Sequence, residues 1–179
     1  GYRIQGKQIE VIWEVKNTGE KEMYFKSVRI LHFIGRILMQ IHRIVVSSVL
    51  TRKKDWSISS SQRKMCRPFH RISSGTNRRV IAIGYTNFDK DALIIENEQI
   101  HKVTLYTKEK KAYLSLHFHA PVVGLWSPPV KNAPFVCIEP WYGRCDRAHY
   151  TGEYKDKDWM QHLQPEETFR GGYTIEIDE

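Results

Sequence analysis

From Tyr2 to Phe25 the hydrophobic and polar positions alternate. Tyr2 to Ile4 and Ile9 to Val15 are short alternating runs across a Gln5-Gly6-Lys7 turn, and Ile9, Val11, Trp13 and Val15 fall on one face. A period of two is that of a half-buried strand. Asn17-Thr-Gly19 reads as a turn and Glu22 to Phe25 as a third strand, so this block predicts an antiparallel meander. A β reading returns at Val80. Strands are predicted over Val80 to Tyr85, Ala92 to Glu96 and Lys102 to Thr107, with turns at Asn87 to Lys90 and Lys108 to Lys111. Alternation is strongest from Ala112 to His119. There Ala112, Leu114, Leu116 and Phe118 share one face, and Tyr113, Ser115, His117 and His119 the other. Ala120 to Asn132 reads as a Pro-rich loop carrying Trp126. Phe135 to Ile138 reads as a strand that Pro140 stops, with Glu139 as its last residue. Lys155 to Leu163 is one helical turn or an irregular loop with Trp159 tucked in, and Tyr173 to Ile177 a closing strand.

Between these blocks the pattern breaks. From Val28 to Leu50 the apolar residues no longer alternate, and Arg29, Arg36 and Arg43 recur at heptad spacing. Taken at face value this is an amphipathic helix with a basic stripe, suited to a membrane surface or an acidic partner. A transmembrane helix is disfavoured, because an Arg at mid-membrane costs about 2.5–3.5 kcal/mol. Thr51 to Arg79 is rich in Arg, Lys and Ser with no core-forming period, the composition of a disordered basic linker.

Charge follows the same division. The chain has 179 residues and a net charge of +8. Residues 26–79 hold 13 Lys and Arg against one acid, Asp55, a local charge of +12, while the flanks together carry −4. A basic protein invites a nucleic-acid or membrane partner, but here basic residues interleaved with aromatics are confined to one block, so neither partner is expected of the whole. The three cysteines (Cys66, Cys137, Cys145) are odd in number and lack CxxC spacing. With no signal-peptide pattern at the N-terminus, they point to a reducing, cytoplasmic setting and against a zinc site.

Three further stretches carry a family signal: Trp126-Ser-Pro, then Ala133-Pro-Phe-Val-Cys-Ile-Glu-Pro-Trp-Tyr-Gly143, then Asp146. Together they resemble the C-terminal part of the aldose 1-epimerase (galactose mutarotase-like) family, in its smaller bacterial branch with Glu-Pro-Trp. Phe88-Asp-Lys-Asp-Ala-Leu-Ile-Ile95 resembles that branch's preceding strand, and residues 1–25 an upstream hairpin. The resemblance implies an all-β, antiparallel galactose mutarotase-like sandwich, present in part, because family members carry further sheet before this hairpin. The opening Gly-Tyr-Arg, with no initiator Met, fits a fragment. Three segments are expected: 1–25 and 81–179 from the sandwich, and 26–80 as a basic insert, helical or disordered, foreign to the family.

That insert has a specific reading. In the resembling branch the third strand leads into a segment of the type Ile-Gly-Ala-His-Pro-Ala-Phe, whose His serves as an acid. Here the chain reads Ser27-Val-Arg-Ile-Leu-His-Phe-Ile-Gly-Arg36. With the codons TCG GTG CGC ATC CTG CAT TTT ATT GGC CG and an A from Lys26, regrouping one base earlier gives ATC GGT GCG CAT CCT GCA TTT TAT TGG CCG. This translates as IGAHPAFYWP, the family motif in the neighbouring frame. Residues from about 26 to 80 are therefore expected to be translated out of frame, with the frame restored before Tyr85. His32 then stands outside the acid's context, and His42 and His70 have less claim still.

The chemistry the resemblance implies is mutarotation. A base takes the proton of the anomeric hydroxyl, an acid protonates the ring oxygen, the ring opens, and reclosure delivers either anomer. Both steps are proton transfers, so no cofactor or metal is required. Glu139 matches the base, although the same residue also reads as an ordinary acid at a strand end. Asp91 falls where the family often places a sugar-binding carboxylate, and equally where a turn uses an Asp. Trp126 and Trp141 are candidate platforms for a pyranose, and Trp126 reads equally as a plug for the sheet. His119, with His117, is a solvated or substrate-facing pair, since no third ligand has matching spacing for a metal. Arg144 and Arg147 would suit a phosphorylated sugar, or be solvated. The partner expected is therefore a small sugar, a hexose or hexose phosphate. Three functions stay open: an epimerase, a catalytically dead sugar-binding relative lacking the acid, and a basic membrane- or nucleic-acid-binding module. The frame reading has a direct test. Sequencing the gene across codon 26 is expected to reveal a single-base slip whose repair restores IGAHPAFYWP; a run with no such slip refutes it.

Overall fold

The computed structural model describes residues 1–34, 41–47, 55–62, 65–73, 78–82, 88–107, 109, 111–128 and 135–178, the strands between 32 and 82 by backbone alone. In chain order the strands are β1 (Tyr2–Gln5), β2 (Gln8–Lys16), β3 (Met23–Phe25), β4 (Ser27–Val28), β5 (Leu31–Ile34), β6 (Ile41–Ser47), β7 (Asp55–Gln62) and β8 (Met65–Ser73). They continue as β9 (Arg78–Ala82), β10 (Leu93–Ile95), β11 (Lys102–Thr107), β12 (Ala112–Phe118), β13 (Val122–Trp126), β14 (Phe135–Tyr142), β15 (Gln161–Leu163) and β16 (Thr168–Ile177). A single 3-10 turn, Tyr154–Asp156, is the helix among the described residues, and none there is long and apolar enough to cross a membrane.

Two seven-stranded antiparallel sheets form the body. Sheet 1 runs β1-β2-β16-β12-β11-β6-β9; sheet 2 runs β4-β14-β13-β10-β7-β8, with β5 also on β14. The two faces that meet are built by the alternation itself. Val103 and Leu105 of β11, Leu114, Leu116 and Phe118 of β12, and Trp13 of β2 come from sheet 1. Leu93 and Ile95, Val123 and Leu125, Val136 and Ile138 come from sheet 2, and all belong to one buried cluster. Two sheets packed over interdigitated apolar side chains are a β-sandwich, the all-β class expected.

Four local expectations are corrected. The N-terminal block is not a meander: β2 turns from β1 to pair with β16, while β3 leaves to form a two-stranded sheet with β15. The ten-residue C-terminal strand offers β2 nine partners, far more edge than the three residues of β3. The Pro-rich loop from Ala120 contains a central strand, β13, between β10 and β14; Pro121 and Pro128 bound it without entering it. Pro140 does not stop β14, which continues to Tyr142. Its carbonyl accepts a bond from the Arg29 N–H at 3.4 Å. A strand residue's N–H and C=O face the same neighbour. The donor proline lacks would therefore point into the interval where β14's partner changes from β5 to β4, and no ladder bond is lost.

The fourth correction is the basic segment. Its described parts are strands, not helix or disordered linker: β6 lies between β11 and β9, and β7 between β10 and β8. Residues 41–47 include Ile41, Ile44, Val45 and Val46, whose branching at Cβ favours a pleated strand over a helix. Open sheet edges at β11 and β10 supply the backbone partners. Arg36, the 83–85 end of the predicted Val80 strand, Asn87, and parts of the Lys108 turn lie outside the described residues.

The core predicts its own sensitivity. Leu116 is fully buried between the sheets, and Leu116→Ala is expected to lower stability by about 2–5 kcal/mol, read as an earlier urea midpoint at unchanged slope.

Candidate active site

Alternation along sheet 2 also builds its second face. Because Val136, Ile138 and Tyr142 point into the sandwich, Cys137, Glu139 and Trp141 point away from it. On the adjoining strands Val123, Leu125, Leu93 and Ile95 face the core, so Val122, Gly124, Trp126 and Ile94 face outward beside them. Ala92, Ile94 and Val122 form a small buried floor, and Trp126, Trp141 and Trp159 pack on it.

Register sets Glu139 in the middle of this surface. Gly124 stands between Ile94 on β10 and Glu139 on β14, with Trp126 opposite Cys137 and Val122 opposite Trp141. A Cβ at Gly124 would lie 2.5 Å from Cζ2 of Trp141. The indole of Trp141 therefore lies across the glycine, and its Nε1–H donates to Oε2 of Glu139 at 3.1 Å. Glu139 is 7% exposed, a buried carboxylate among indoles rather than an acid at a solvated strand end. The neighbouring Cys137 thiol is pushed up to about 12 by its burial first, then by the adjacent Glu139 charge and their hydrogen bond. At neutral pH it is a neutral thiol, which does not serve as a nucleophile.

The remaining predicted residues are distributed unequally. Asp91 immediately precedes Ala92 of the floor. Its Oδ1 accepts from the Ala92 N–H at 2.8 Å and its backbone φ is +97°, so it caps the turn into β10. Trp126 and Trp141 are both half-buried on the outer face. His119 is exposed, with its ring 5.5 Å from that of His101; among the described residues no bond or ring contact joins it to the tryptophans. Its partner in alternation, His117, bonds Glu176 at 2.7 Å. Groups of three His, Cys, Asp or Glu able to hold a metal are absent among the described residues. His32 is opposite Cys137 in the β5–β14 register, while its side chain lies outside the described residues.

Sequence reading missed one component. Glu96, at the end of β10, binds Arg144 and accepts from Trp159 Nε1 at 3.1 Å. Arg144, with a side chain 8% exposed, also binds Asp158, which Arg147 grips through two bonds of 2.6 Å. The loop after β14 is thus fastened back across the end of β10. No spacing rule links positions so far apart; only the unusual density of paired Arg and Asp after Gly143 hinted at it.

This geometry can be set beside known proteins. No family model matches the chain. Protein LacX of Lactococcus lactis subsp. lactis, in plasmid and chromosomal forms, is 28% identical over 102 residues, covering 56% of this chain and 34% of LacX. A galactose mutarotase related enzyme from Lactobacillus acidophilus superposes on 99% of this chain at a TM-score of 0.80 and 25% identity. This chain has the galactose mutarotase-like β-sandwich fold. A galactose mutarotase-like protein from Lactobacillus casei gives the same TM-score over 98% of the chain at 19% identity, a likeness of fold. The mutarotase-like chain described here spans about a third of LacX and covers 60% of the L. acidophilus protein.

The Trp141–Gly124 contact yields a test. Gly124→Ala must displace the indole, with an expected cost of about 1–3 kcal/mol and a shift of tryptophan emission as the Nε1 bond to Glu139 breaks. A crystal structure of the variant with Trp141 unmoved would refute the contact.

Proposed function

We propose that this chain carries an aldose 1-epimerase-type site that interconverts the α and β anomers of a hexose, with Glu139 as the base. The observation behind this reading is a carboxylate fixed on a central strand, almost fully buried, with part-exposed tryptophans beside it. A fixed, largely dehydrated carboxylate suits general-base catalysis, and flat indoles suit the apolar face of a pyranose. Trp141 contributes twice: its ring forms part of the wall, and its N–H orients the carboxylate.

In the proposed reaction Glu139 takes the proton of the C1 hydroxyl as the C1–O5 bond breaks and O5 gains a proton from an acid. The open aldehyde rotates about C1–C2. Attack of O5 on either face of the carbonyl, with both protons returned, gives either anomer. Asp91, at the edge of the floor, is the candidate for holding a sugar hydroxyl with the oxygen not committed to Ala92. His119 has weaker support as a sugar contact, since its ring lies against His101. Arg144 and Arg147 are engaged by Glu96 and Asp158, which favours an unphosphorylated hexose over a hexose phosphate.

The acid is the open half of the proposal. Residues 26–80, read in the neighbouring frame, would supply the family's His; as written they do not. A second reading, a sugar-binding relative without activity, is favoured by that missing motif. The basic-helix module loses its premise, because residues 41–47 form a strand.

Polarimetry of freshly dissolved α-D-glucose and α-D-galactose separates these readings. An active site of this type is expected to speed the approach to constant rotation, and Glu139→Gln to slow the catalysed rate by about 10²–10⁴-fold, the range for loss of a general base. Sugar binding by calorimetry without acceleration would support the inactive relative, and neither binding nor acceleration would refute both.

A further inference from the structure

We infer that Trp159 is a third sugar platform of the proposed site, and that Glu96, Arg144 and Asp158 are the residues that position it. The inference rests on the reading of the Glu139 face as a carbohydrate site, and adds a wall to it from outside the sheet.

The argument begins with where Trp159 sits. It packs with Trp126 and Trp141 on the floor of Ala92, Ile94 and Val122, the same outward face that presents Glu139. The three floor residues are buried, whereas all three indoles remain partly exposed. A cover needed only to keep Ile94 dry would be satisfied by aliphatic side chains. Indoles left partly open above a dry floor, near a dehydrated carboxylate, have the make-up of a carbohydrate-stacking surface.

The second observation is how rigidly this residue is held. Trp159 has φ +57°, a left-handed conformation that bulky residues adopt only when the surroundings enforce it. Its Nε1–H donates to Glu96, its carbonyl accepts from Gln161 Nε2 at 2.9 Å, and its predecessor Asp158 is gripped by both Arg144 and Arg147. Arg144 bridges Glu96 and Asp158, so one largely buried guanidinium fixes the indole from its ring and from its backbone at once. Two acids and two arginines leave the clamp electrically neutral, in keeping with an uncharged ligand. Loops that merely connect strands have little need of such fixing, while a platform residue loses affinity if it must be ordered on binding.

The test is calorimetric titration of the full chain with D-galactose and D-glucose, alongside polarimetric rates, for the wild type, Trp159→Phe, Trp159→Ala, Glu96→Gln and Glu139→Gln. Trp159→Phe keeps an aromatic face and is expected to weaken binding less than threefold. Trp159→Ala is expected to weaken it at least tenfold. Glu96→Gln, which loosens the clamp but leaves the ring, should raise KM several-fold with kcat within twofold, a split that general destabilisation would not produce. Far-UV circular dichroism identifies a misfolded Trp159→Ala, in which case Trp159→Phe and Glu96→Gln decide. Sugar binding by the wild type with Trp159→Ala or Glu96→Gln unchanged overturns this inference alone. No binding by the wild type overturns it together with the carbohydrate reading.

Discussion

The structure depends on one strand being two-sided. β14 sends Val136, Ile138 and Tyr142 into the sandwich and Cys137, Glu139 and Trp141 out of it, so the residues that hold the strand in place are neighbours of those that give it chemistry. A register slip of one residue would exchange the two sets, burying a carboxylate in the core and exposing isoleucine. The inward residues therefore protect the position of Glu139. Gly124 completes the arrangement on the next strand. Only a residue without a side chain lets the Trp141 ring lie flat enough across β13 for its N–H to reach Glu139.

Much of this was legible in the sequence, and the failures have identifiable physical causes. Alternation located β2, β11, β12, most of β14 and half of β16, because each has one face on the core; β1 alternates too, although all four of its residues are exposed. β13 escaped since it is dry on both sides: Val122-Val-Gly-Leu-Trp126 has no polar partner face to reveal a period, and prolines at its margins resemble loop punctuation. Pro140 misled for a related reason. Its meaning as a strand stop presumes a neighbour requiring its N–H, and the change from β5 to β4 removes that requirement. The clamp of Glu96, Arg144 and Asp158 is tertiary, and local pattern has no access to it. In the basic segment, composition suggested solvation while β-branched residues and two open sheet edges favour strand. Backbone pairing asks little of side-chain periodicity, which is why that segment's strands could not be read from its hydrophobic pattern.

The sandwich also shows where its weakness lies. β1 is the edge of sheet 1, with Tyr2 82% and Ile4 75% exposed, and an apolar strand with an open edge is a template for association. The chain covers 60% of the L. acidophilus relative, so a sizeable part of that protein has no counterpart here.

The proposed site divides along the same line as the sequence. Its floor, indoles, base and clamp come from β10, β13, β14 and the loop that follows, all outside residues 26–80. The proton donor that mutarotation also needs is the part the family resemblance places inside that segment. Among the described residues, segment 26–80 meets β14 through the backbone ladders of β4 and β5. Affinity for a sugar and the ability to open its ring are consequently separable here. The first requires a dry aromatic surface with one oriented carboxylate; the second requires a further group able to give a proton to O5 while Glu139 takes one from the C1 hydroxyl. A chain that keeps the former and lacks the latter would hold the ring in place and leave its anomeric carbon unchanged.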